Sequence, residues 1–194
     1  MVSQSTFAPP ELMTAEEFYD WAHLPENIDK PYELEDGEVV LMSRPGVEHG
    51  LVCWLVIALL TDYVRARRTG YILTNDTGLI VKRNPDSVRG PDVMVFMKPI
   101  PKRPVRKRHS EQTPDLVVEV YSPNDRPGKL NRRIRQYQDK GVPMIWVVYP
   151  EDRIVDVFSP GEPVLSLKES DTLSGGTALP GFDQKVLHLF EQPD

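Results

Sequence analysis

Two acidic residues stand inside or beside strand-like apolar runs. Asp92 lies in Arg89-Gly90-Pro91-Asp92-Val93-Met94-Val95-Phe96, and Glu119 lies in Pro114-Asp115-Leu116-Val117-Val118-Glu119-Val120-Tyr121. Burying a carboxylate is costly unless it is paired, hydrogen-bonded or bound to a metal. Two carboxylates on neighbouring central strands can hold a divalent cation between them. Their hard oxygens suit Mg2+ or Mn2+, which keep waters and accept phosphate oxygens. The same pattern also fits two buried acids satisfied by backbone N–H groups or by an arginine.

Further groups could join these acids. His49, in Gly46-Val47-Glu48-His49-Gly50, heads a predicted helix, where an imidazole can meet phosphate, metal or water, or serve as a cap or surface group. Glu33 and Glu35 share parity in the first predicted hairpin strand, so spacing does not choose between them; Glu35, beside Asp36, reads as solvated turn charge. The segment 98–109 carries Lys98, Lys102, Arg103, Arg106, Lys107 and Arg108 and no acid. A basic loop beside an acidic metal site suits a phosphodiester backbone, although such charge blocks are often solvated loops. A second predicted helix carries Lys129, Arg132, Arg133 and Arg135. By i, i+4 spacing Arg132 shares a face with Gln136, and Arg133 with Tyr137. A cation aimed from it at Glu119 would stabilise a pentacovalent phosphorane; a solvated helix face is the alternative.

These residues need elements to position them. Thr14-Ala15-Glu16-Glu17 is a capping box opening a helix to about residue 23. Strands are expected at 31–35 and 38–42, joined by the hairpin signal Asp36-Gly37. Apolar residues at 51, 52, 55, 56, 59, 60 and 64 predict a helix over 48–68, stopped near Gly70. Strands follow at 71–74, 78–81, 93–97 and 116–121, the last two central. A helix over 130–140 ends at Gly141, and strands at 144–148, 154–158 and 164–167 extend the sheet to an edge, before a last apolar segment at 186–190. This order predicts a mixed α/β sandwich on a central sheet.

The chain of 194 residues is long enough for one domain with a real core, expected over 11–194, behind a disordered stretch at 1–10. Its net charge of -6 excludes a uniformly basic nucleic-acid coat and leaves local patches open. One cysteine, Cys53, excludes an intramolecular disulfide and fits a reducing cytosol. No signal-peptide pattern opens the chain, and the apolar stretch 51–60 is short for a bilayer span, so the expectation is a cytoplasmic protein with no membrane partner. There is no Walker loop, no G-x-G-x-x-G, no H-E-x-x-H and no zinc-spaced Cys/His cluster. Cys53 reads as core, and Ser122 lacks a nucleophile elbow.

The ordered set Tyr32-Glu33-Leu34-Glu35-Asp36-Gly37-Glu38, His49, Arg89-Gly90-Pro91-Asp92-Val93, 114–123, the stretch from Tyr137 to Val148 and Leu179-Pro180-Gly181-Phe182 resembles the Uma2 family, also called DUF820. That family groups restriction-endonuclease-like proteins of the PD-(D/E)XK nuclease superfamily, and the resemblance covers residues 12–190. It implies an α/β (α+β) restriction-endonuclease-like core, a central mixed sheet flanked by helices, with an N-terminal hairpin. It implies a metal-dependent endonuclease acting on DNA, with Mg2+ or Mn2+ held by Asp92, Glu119 and the Val120 carbonyl, and Glu33 and His49 lining the site. Tyr121 stands where the superfamily lysine would be. Many relatives instead carry a helix lysine fourteen residues after the glutamate and four before the tyrosine, which is Arg133 here; Lys129 is one turn earlier. Tyr149 stands where relatives have aspartate before the proline. A homodimer is expected by analogy with enzymes that cut two strands with two subunits, and a nuclease fold that binds DNA or protein without cleavage is the alternative.

Overall fold

The structure is a computed structural model and describes residues 12–100, 108–122 and 127–191. The chain runs α1 (Ala15–Ala22), β1 (Tyr32–Glu35), β2 (Glu38–Leu41), α2 (Val47–Arg67), β3 (Tyr71–Thr74), β4 (Leu79–Lys82), β5 (Ser87–Arg89), β6 (Val93–Phe96), β7 (Leu116–Val120), α3 (Pro127–Asp139), β8 (Ile145–Tyr149), β9 (Ile154–Phe158), β10 (Leu165–Lys168), β11 (Thr172–Ser174), β12 (Asp183–Lys185) and a final 3-10 turn, Val186–Leu189. The expectation for residues 1–10 falls outside the described residues.

A six-stranded sheet in the order β10-β9-β8-β7-β6-β3 forms the centre. β7 and β8 pair in parallel and the other neighbours are antiparallel, so the sheet is mixed as expected. Every residue of β6 and β7 is buried, because helices cover both faces of the sheet. Successive side chains alternate between those faces. Val93, Val95, Val118 and Val120 join the core under α2 with Val52, Val56 and Leu60. Met94, Phe96 and Val117 join Ile134 and Tyr137 of α3 in the opposite core. Alternation therefore sends Glu119 to the α3 side.

A second sheet, β2-β1-β5-β4, carries the N-terminal hairpin and packs Leu34, Ile80 and Val88 on Phe18 of α1. The capping box forms: the Thr14 side chain accepts from the Glu17 N–H, and the Glu17 carboxylate accepts from the Thr14 N–H. Asp36 and Gly37 both have positive φ, 51° and 84°, the conformation a tight two-residue hairpin requires.

Several local expectations are corrected. Arg68, with φ 56°, closes α2 in the left-handed conformation, ahead of Gly70. β5, β11 and β12 are three-residue strands without a usable period, and the last apolar segment coils as a 3-10 turn. α2 runs well beyond the stretch 51–60. By length and composition it could cross a bilayer, with a mean hydropathy of 1.5; here its buried residues Val52, Leu55, Val56 and Leu60 face the protein interior.

Candidate active site

The β6–β7 register, Val93 opposite Val118, continues one step to set Asp92 opposite Glu119 at the sheet's end. Asp92 Oδ2 accepts a hydrogen bond of 2.8 Å from the Val120 N–H, which ties the acid to the next strand. His49, in the first turn of α2, brings Nε2 to 3.3 Å from the same oxygen. One turn further along, Cys53 Sγ lies 3.5 Å from His49 Nδ1. Among the described residues, His49, Cys53 and Asp92 form a group whose ligand atoms all lie within 4.8 Å of one another. Cys53 packs partly on the core, as expected, and it also reaches the site. The signal was present in the sequence: His and Cys four apart on one helix share a face.

Glu119 is 4 % exposed and both its oxygens are engaged. Oε1 accepts from the Tyr137 hydroxyl, and Oε2 accepts from Arg133 Nη1 at 3.2 Å. Burial pushes its carboxyl up to about 7; Arg133 opposes the rise and the Asp92 charge adds to it. Burial works against the Arg133 charge, but Glu119 and Glu33 outweigh it and hold the guanidinium above the usual arginine range. Burial and the neighbouring Glu119 raise the Tyr137 phenol well above its ordinary value, so it stays a donor.

Arg133 Nη2 donates to Glu33 Oε2 at 3.0 Å, which puts Glu33 in the site as expected. Glu33 also accepts from Arg89 Nη1 at 3.0 Å and from the Gly90 N–H at 3.0 Å. Arg89, 3 % exposed, reaches Glu35 Oε2 at 3.3 Å and donates from Nε to Gln136 Oε1 at 2.8 Å. Arg132 closes on the other oxygen of Glu35. The reading of Glu35 as solvated turn charge is therefore corrected: Arg89 of β5 and Arg132 of α3 are its partners. Arg89, Gln136 and Tyr137 had no assigned role. The helix parity that groups Arg133 with Tyr137 held the signal for the tyrosine, whereas nothing in the sequence marked Arg89 as buried.

Lys129 is exposed on α3, and no described group brings it to the acids. Arg108 is committed elsewhere: its guanidinium donates to the Glu16 carbonyl and to Asp20 at 3.0 Å and lies over the Tyr19 ring. Lys102, Arg103, Arg106 and Lys107 fall outside the described residues. The Tyr121 and Tyr149 rings meet with centroids 5.3 Å apart.

The chain over residues 15–188 matches the family model Uma2, described as "Putative restriction endonuclease". It is similar in fold to the crystal structure of "a putative nuclease belonging to DUF820" from Anabaena variabilis ATCC 29413, with a TM-score of 0.77 and 19% identity over 92% of this chain and 97% of that one. No curated protein matches. With residues 15–188 matched, most of its length, the chain belongs to the Uma2 family.

Proposed function

We propose that this protein is an endonuclease that hydrolyses DNA phosphodiester bonds with a divalent cation, Mg2+ or Mn2+. The observation that carries the reading is the convergence of Asp92, Glu119, Glu33, His49 and Arg133 at one end of the β6–β7 pair. The donor set fits a hard cation. Asp92 Oδ1 takes no hydrogen bond among the described residues, the Glu119 carboxylate is close by, and the Val120 carbonyl is the third oxygen we assign. When bound, such a cation polarises a phosphate and lowers the pKa of its water.

The protein's own groups do the rest. Arg133 favours the ionised form of Glu119 that a metal ligand requires. Arg133 supplies fixed positive charge for the phosphorane but cannot serve as a base. His49 orients Asp92 through their 3.3 Å contact. Lys129, exposed one turn before Arg133, is a second cation for incoming phosphate. Lys102, Arg103, Arg106 and Lys107 are assigned to the DNA backbone, with Arg108 bracing the end of that loop on α1. We place the protein in the cytoplasm and propose that two copies act together on the two strands.

The test uses purified protein with Mg2+ or Mn2+ on plasmid and oligonucleotide DNA, beside Asp92→Ala. Cleavage by the wild type and its loss in the variant support the reading; equal activity in both overturns it.

One observation favours a second reading, a nuclease fold that binds DNA without cutting it. Arg133, where many relatives carry lysine, is held by Glu33 and Glu119 together. This reading predicts salt-dependent binding without cleavage, and cleavage that appears in Arg133→Lys.

A further inference from the structure

We propose that His49, Cys53 and Asp92 form a second, softer metal site that takes Zn2+ through the Cys53 sulfur. The three ligand atoms already lie within 4.8 Å of one another. A zinc ion bound about 2.3 Å from sulfur and about 2.0 Å from nitrogen in a tetrahedron sets those two atoms about 3.5 Å apart. Cys53 Sγ and His49 Nδ1 stand at 3.5 Å before any ion binds. Their i, i+4 spacing on α2 fixes both on one helix face. Asp92 Oδ2 stands 3.3 Å from the other ring nitrogen, Nε2, in the same group of donors. Rotation of its side chain brings the carboxylate in as the third donor, and the fourth position stays open to water.

The chemistry separates this site from the hard-cation site. A thiolate ligand selects zinc and its thiophilic neighbours over Mg2+. Binding exchanges the Cys53 proton for the ion, so one proton per ion leaves to the buffer. The same three residues could instead suggest a thiol nucleophile. That role needs a thiol of lowered pKa. Here burial, reinforced by the charges of Asp92 and Glu119, pushes Cys53 the opposite way.

Asp92 belongs to both sites, so an ion on Cys53 takes a ligand from the hard cation and switches cleavage off. That consequence rests on the nuclease reading; the binding does not.

The test is a Co2+ titration of the reduced, metal-free full chain, followed by the thiolate-to-cobalt absorption in the near ultraviolet, with Zn2+ calorimetry in buffers of different ionisation enthalpy. The expected result is a band that saturates at one equivalent, yields to Zn2+ but not to Mg2+, and disappears in Cys53→Ala and Cys53→Ser, with circular dichroism confirming their fold. Zn2+ affinity should fall in Cys53→Ala by more than the about 10–100-fold that losing a residue which only orients a ligand costs, and about one proton should leave per ion in the wild type. Absence of the band, or equal Zn2+ affinity in wild type and Cys53→Ala, overturns the site. No DNA is present, so failure here is distinct from failure of the nuclease reading.

Discussion

Arg133 Nη1 donates to Glu119 Oε2 at 3.2 Å, joining α3 to the central strand it covers. The same guanidinium reaches Glu33 on the second sheet at 3.0 Å, so one side chain neutralises acids from two sheets. Arg133→Ala leaves both carboxylates buried without that partner and should destabilise the fold by about 3 kcal/mol. Arg133→Lys keeps a charge but loses the fork that spans both acids, so its loss should be smaller. Urea unfolding of the two variants gives the comparison; equal stability of wild type and Arg133→Ala would mean the contacts contribute nothing net.

The parts of this arrangement differ in how far the sequence discloses them. β6 and β7 are legible because a strand covered on both faces must be apolar throughout, and Asp92 and Glu119 stand out against that background. α2 is legible from its apolar stripe. β5 is not, since it is three residues long and ends in Arg89, whose burial depends on Glu33, Glu35 and Gln136 arriving from distant parts of the chain. Glu33 and Glu35 share parity and both are partnered; no local rule reveals that a helix about a hundred residues away supplies the cations. Cys53 was legible as a spacing from His49 but was outweighed by its apolar neighbours.

Tyr137 is fully buried, and its hydroxyl donates to Glu119 Oε1. Tyr137→Phe keeps the ring in the α3 core and removes only the donor. An unsatisfied buried acceptor costs about 1–3 kcal/mol. The Glu119 carboxyl should also rise, because the phenol bond favours its charged form. With Glu119 less fixed as a ligand, divalent-metal affinity should fall about 10-fold or more. Calorimetry with Mn2+ beside thermal unfolding separates the two effects, and unchanged metal affinity with lowered stability would restrict Tyr137 to packing.

Glu119 and His109 titrate against each other. Glu119 rises by burial to about 7 from 4.5. Its contribution to stability is therefore complete below 4.5 and is lost as pH rises through about 7. Burial and then the charge of His23 lower His109 from 6.5 to about 4, and its Nε2 has no hydrogen-bond partner among the described residues. Its contribution is complete above 6.5 and is lost as pH falls through about 4. In the shared window the slopes oppose. Glu119→Gln should leave a stability that rises with pH there. His109→Phe, which keeps the stack on Phe18, should leave one that falls. Urea midpoints across the window decide it; profiles of the same sign in both variants contradict the assignment.

Arg89 ties the hairpin sheet to the helix that carries Arg133. It reaches Glu33 and Glu35 on β1 and Gln136 on α3 while 3 % exposed. Arg89→Ala removes one cation from buried Glu33 and Gln136 and half-buried Glu35, and losing one side of a buried ion pair destabilises by about 3–5 kcal/mol. Because Glu33 is shared between Arg89 and Arg133, the two substitutions should not add. A double-mutant cycle on Arg89→Ala and Arg133→Ala should return a coupling of about 1 kcal/mol or more. Strict additivity would show that the two arginines stabilise independent regions, and that Glu33 does not transmit between the hairpin sheet and the acids at the end of β7.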